Sequence, residues 1–161
     1  MKSILTTVFL VAMLAGAGCG FHLRGQYDTL EALADTYYVE GDPRSQIVIG
    51  LKRSLRSSET QIVAHKDEAT AIVRVFDEST GRRVLSVDSG GDVTEYEVYY
   101  AVSFQLAYPG EDAMPAQTFR LTRDYVFDRE GVLGSGEEEQ TLRSEMRRDL
   151  VRLIMQRLQS A

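Results

Sequence analysis

One cysteine and a few arginines carry most of the chemistry this sequence offers. Cys19 is the only cysteine among 161 residues, which excludes an internal disulfide and leaves a free thiol to account for. A thiol is the side chain that can be converted to a thioether carrying a diacylglyceryl group. Its setting suits that conversion. An apolar run from Ile4 to Ala17 follows one basic residue, Lys2, and ends in the small residues Gly16, Ala17 and Gly18, the pattern of a cleaved export signal. Residues 1–18 are therefore expected to be a lipoprotein signal peptide. Residues 19–161 are expected to be one mature domain, with Cys19 as the point of attachment for fatty acyl chains such as palmitate.

Arginine forms charge-assisted, bidentate bonds with phosphate oxygens. Arg82, Arg83, Arg123 and Arg129 lie near turns or strand ends and are the candidate residues for an anionic ligand, with Arg120 beside them. Tyr99 and Phe21 are the candidate partner-surface aromatics. Catalytic and metal chemistry find no such footing. His22 and His65 are far apart in sequence, and acylation removes the one cysteine as a co-ligand, so no metal site is expected. Neither a Gly-x-Ser-x-Gly elbow, a phosphate loop nor a dinucleotide fingerprint occurs, so the reading is of a protein with no catalytic residues and no cofactor. Eighteen Lys and Arg against 24 Asp and Glu give a net charge of −6, a field that opposes nucleic acid, and no nucleic-acid partner is expected.

The elements that must position these residues follow from periodicity. Thr36–Glu40 reads as a short strand, and Asp42-Pro43 as a helix start, with Asp42 as N-cap. Ile47, Leu51 and Leu55 then form a four-residue stripe to about Ser57, in which Gly50 suggests close packing against a neighbour. Gln61–Ala64 and Ala71–Phe76 are further strands. Glu78-Ser79-Thr80-Gly81 reads as a turn into a return arm, Val84–Val87. After a second turn at Ser89–Asp92, the even positions from Thr94 to Tyr108 form the apolar face of the longest strand. Phe119, Leu121, Tyr125 and Phe127 mark its partner.

Gly131, Gly134 and Gly136 read as a loop, and Ser135 with Glu138 as a capping box. The helix that follows carries Leu142, Met146, Leu150, Ile154 and Leu158, with Glu137–Glu139 at the positive end of its dipole. The expected class is α+β, a two-layer sandwich with two helices packed on one face of a mixed, mainly antiparallel β-sheet.

Cys19-Gly20-Phe21-His22-Leu23-Arg24-Gly25 resembles the start of mature proteins of the LptE family, the lipopolysaccharide-assembly lipoproteins of Gram-negative outer membranes. Glu95-Tyr96, Tyr125-Val126-Phe127-Asp128, and Glu139-Gln140 followed by Glu145-Met146 are similar to that family in order and spacing. The resemblance implies the same fold, no enzymatic activity, and attachment to the outer membrane by an N-terminal lipid anchor on the periplasmic side. It also implies a partner, an LptD-type β-barrel whose lumen the domain plugs and whose assembly it assists, and a part in lipopolysaccharide transport and insertion. Lipopolysaccharide binding in that family is attributed to basic residues on loops ahead of the Glu-Tyr and Glu-Gln stretches. Those loops here read Ser89-Gly90-Gly91 and Gly134-Ser135-Gly136, with Arg82, Arg83 and Arg129 nearby. A second reading stays open, a freestanding lipid-anchored periplasmic binding module for an anionic (lipo)glycan.

Overall fold

The computed structural model describes residues 33–58, 60–128 and 132–161. Strand β1 is Thr36–Glu40, helix α1 Gln46–Ser57, β2 Gln61–Ile62, β3 Ala71–Val87, β4 Val93–Ala107, β5 Gln117–Val126, and helix α2 Val132–Gln159. The sheet order is β2-β1-β3-β4-β5. β1 runs parallel to both of its neighbours, and β3, β4 and β5 are antiparallel in turn. The α+β class, with both helices packed over one mixed sheet, is the expected one.

Each helix buries the stripe its sequence announces. Ile47, Leu51 and Leu55 of α1 and Met146, Leu150 and Ile154 of α2 are fully buried, and they meet Val73, Val98, Val102 and Phe104 of the sheet in one core. At Gly50 the helices pack tightly: a Cβ on it would stand 3.0 Å from a methyl of Val151. A longer side chain there would push the helices apart.

Strand β2 stops at Ile62, short of the expected Ala64, and three larger differences from expectation stand beside it. The N-cap of α1 is Ser45 instead of Asp42: the Ser45 Oγ accepts from the N–H groups of Ile47 (3.1 Å) and Val48 (3.2 Å). Asp42 instead accepts from the Arg44 N–H at 2.9 Å, closing a turn that leads into the helix. Helix α2 begins at Val132, so Gly134, Ser135 and Gly136 are helical and Glu137–Glu139 lie in its second turn. The proposed capping box at Ser135 is therefore not the start of the helix. Gly131 lies outside the described residues.

The third difference is the largest. Glu78-Ser79-Thr80-Gly81 is not a turn, and Ala71–Val87 is one strand of 17 residues. Val75 pairs with Phe104 and Thr80 with Tyr100, so β3 carries one more residue than β4 over the same stretch. This is a β-bulge, and Asp77 sits in it with φ of 50°. The bulge switches parity: Val73 and Val75 face the helices before it, Thr80 and Arg82 after it. The true hairpin turn is at Asp88–Asp92, where Asp88 Oδ1 accepts from Gly90 N–H (2.8 Å) and Asp92 N–H (2.9 Å) and Gly91 takes φ of 86°. β1 pairs only with residues 71–74 of β3. Beyond them the outer edge of β3 has no neighbouring strand among the described residues.

Candidate functional site

The hairpin beyond the bulge carries most of the residues singled out for binding, and the pairing register separates them. Arg82 faces the helices and Arg83 faces away. Arg82 stands opposite Val98, while Arg83 stands opposite Glu97 on the uncovered side of the sheet.

On the helix side, Arg82 donates to Glu139 Oε2 (2.8 Å) and to the Tyr125 hydroxyl (3.3 Å), and its guanidinium lies 4.5 Å from the centre of the Tyr96 ring. Tyr125 also donates to Glu139, at 2.9 Å. Arg143, one helical turn further along α2, holds the other carboxylate oxygen at 2.7 Å and reaches Thr80 Oγ1. Glu139 thus receives Arg82, Tyr125 and Arg143 together. Burial by itself raises its carboxyl, but the hydrogen bonds from Arg143, Tyr125 and Arg82 outweigh that and hold it below the usual carboxylate range. Burial, and next the bond to Glu139, raise the Tyr125 phenol. Tyr96 packs against Tyr125 at 5.8 Å and edge-on against Phe127 at 5.3 Å between centroids, so an aromatic cluster supports the pair.

A second polar link ties the bulge to α1. Glu78 accepts from Ser45 Oγ at 2.5 Å and from the Tyr100 hydroxyl. Burial first, and then this bond and the neighbouring Glu78 charge, push the Tyr100 phenol far above its ordinary value. The side chain that caps α1 is therefore itself held by the bulge.

On the uncovered face, Arg83 meets Glu97 at 2.8 Å. Arg120 lies 4.4 Å from the Tyr99 ring centre, and that half-buried ring lies on Gly81, where a Cβ would come within 2.6 Å of the Tyr99 hydroxyl. Tyr99 forms part of this open, polar face together with Glu95, Glu97, Thr122 and Asp124. Arg123, on the helix side, is bonded to Asp149 of α2 at 3.3 Å. The structure brings Arg82 close to α2 and Arg123 to a different point on the same helix, with Arg83 on the opposite face. Cys19, Phe21 and Arg129 lie outside the described residues.

Sequence reading missed Glu139, Arg143, Glu78 and Tyr100 as a network. One signal was present, since Glu139 and Arg143 have the i, i+4 spacing of a helical ion pair. The links to Arg82 and Ser45 depend on the parity switch at the bulge. Four large apolar side chains at the far end, Val84, Leu85, Val87 and Val126, are 45–65% exposed. Among the described residues there is no cluster of three or more potential metal ligands, and no helix is long and apolar enough to cross a membrane.

The lipopolysaccharide-assembly family LptE matches residues 34–158, which takes in every strand of the sheet and nearly all of both helices. An LPS-assembly lipoprotein LptE of Pectobacterium atrosepticum is 29% identical over 159 residues, covering 96% of this chain and 84% of its own. The crystal structure of the rare lipoprotein B from Shewanella oneidensis aligns with a TM-score of 0.71 at 28% identity, covering 78% of this chain and 94% of that one. The solution structure of lipoprotein B from Nitrosomonas europaea aligns with a TM-score of 0.70 at 28% identity, covering 84% and 87%. With its two helices over a five-stranded mixed sheet and a match along most of its length, the chain belongs to the LptE lipopolysaccharide-assembly family.

Proposed function

We propose that the chain is a non-catalytic outer-membrane lipoprotein, freed of residues 1–18 and anchored through acylated Cys19 on the periplasmic side. In this reading residues 19–161 form a plug domain that seats in an LptD-type β-barrel, assists its assembly, and takes part in moving lipopolysaccharide into the outer membrane. The observation that carries the reading is the family match along residues 34–158. The uncovered sheet face adds support, since Glu95, Glu97, Tyr99, Thr118, Thr122 and Asp124 give it the mixed polarity that a water-filled barrel wall requires. The freestanding binding module has less support, because Arg82, Arg83 and Arg123 each already hold a carboxylate of the chain.

Affinity purification of the tagged protein from detergent-solubilised outer membranes tests the reading. A large, heat-modifiable barrel protein is expected in stoichiometric amount, and recovery of the chain alone would overturn it. The anchor has its own test. Mass spectrometry of the mature N-terminus should find residue 19 triacylated, and Cys19→Ser should move the protein to the soluble periplasm, because two buried acyl chains are needed for stable attachment.

A further inference from the structure

A groove of about 430 Å³ runs between α1 and α2. Its floor is Gly50 and the nearly buried Val151, with the partly exposed Ile49 beside them, and Arg53, Arg147 and Arg148 line it. The tight packing of Gly50 on Val151 keeps the floor shallow between the two helices.

The charge in the groove is out of keeping with the rest of the chain. The whole sequence has a net charge of −6, yet three arginines converge here. Among the described residues neither Arg53 nor Arg147 pairs with a carboxylate, and Arg148 has only Glu145 at 3.9 Å. Asp149, the next acidic residue on α2, is held by Arg123 at 3.3 Å and Arg152 at 2.7 Å. Guanidinium groups spaced along an open groove, with an apolar strip between them, suit an extended acidic chain better than one compact anion. Ser54 and Ser144 also line it, and Ser144 Oγ accepts from Arg148 at 2.9 Å, which steadies that guanidinium on the groove wall.

We infer that this groove receives an acidic peptide segment of a partner protein, its carboxylates on Arg53, Arg147 and Arg148 and an apolar side chain against Ile49 and Val151. The inference rests on the reading that the domain works seated against another protein. It deepens that reading by placing one contact on the helix layer.

The test is fluorescence anisotropy of the detergent-solubilised mature protein with a fluorescein-labelled peptide of alternating glutamate and leucine. Arg53→Glu and Arg147→Glu should each weaken binding about tenfold, and Ile49→Ser should remove the preference over an all-glutamate peptide. Arg44→Glu makes the same change in charge at a side chain that is 90% exposed and paired only with Asp42, and should leave binding within about twofold. Arg53 is exposed, so its variant keeps the test intact if Arg147→Glu lowers the melting temperature. Equal weakening by Arg44→Glu would reduce the groove to the general field of the protein and overturn the inference. So would groove-dependent binding of inorganic phosphate or of phosphatidylglycerol vesicles without binding of the peptide. Co-purification of the wild-type chain with its barrel reports separately on the proposed function. If it persists while the peptide fails to bind, only the groove assignment falls.

Discussion

The two halves of β3 share a backbone and little else. From Ile72 to Arg74 the strand has β1 on one side and β4 on the other, and Ala71, Ile72, Val73 and Val75 in and around that stretch are buried. From Ser79 to Val87 it has β4 alone, its apolar side chains stand in solvent, and what holds it to the helices is polar: Thr80 to Arg143, and Arg82 to Glu139. Continuity of a strand is thus no guide to continuity of a core. The first half is held by burial of apolar area. The second is held by register with β4 and by ion pairs, which leaves its apolar side chains in solvent.

The strongest test of that contrast is in the first half. Phe104→Ala removes a fully buried ring opposite Val75 and should cost about 3–5 kcal/mol in denaturant unfolding. Glu139→Gln leaves Arg82, Arg143 and Tyr125 with a weaker acceptor. Since Arg82 is half exposed, the expected loss is smaller, about 1–2 kcal/mol.

Acid gives the same comparison without a mutation. The Glu139 carboxyl is depressed in the folded state, so its contribution is complete above the unfolded value of about 4.5 and fades as the pH falls through the lower, folded value. Thermal melts between neutral pH and pH 3 should show an acid-sensitive component that Glu139→Gln diminishes.

Ser45→Ala, which removes the cap of α1 and its link to the bulge, should lower stability by about 1 kcal/mol. Val87→Thr, at a side chain that is 54% exposed, should stay within about 0.5 kcal/mol. If Val87→Thr cost as much as Phe104→Ala, the division between the two halves would collapse.

What could be read in the sequence was periodic. The stripes of α1 and α2 and the even positions of β4 follow from spacing alone, because burial on one face imposes a period, and β1 follows from its aromatic and β-branched residues ahead of Gly41. What could not be read was where one residue is added. Glu78-Ser79-Thr80-Gly81 has the composition of a turn, but its glycine makes room for the ring of Tyr99 and its glutamate secures Ser45. A composition that tolerates irregular backbone serves a bulge as well as a turn, and only the partner strand decides between them. Once the bulge is missed, Arg82 and Arg83 cannot be assigned to their faces, and the Glu139 network stays hidden.

Among the described residues no strand lies beside the outer edge of β3 beyond β1. Amide and carbonyl groups without a strand beside them are a template on which another copy can polymerise. Asp77, Glu78, Arg82 and Arg83 put charges of both signs along that stretch, which discourages stacking of identical copies without closing the margin to a foreign strand. The chain should therefore stay dispersed at high concentration for as long as those charges stand, and neutralising them should make it clump.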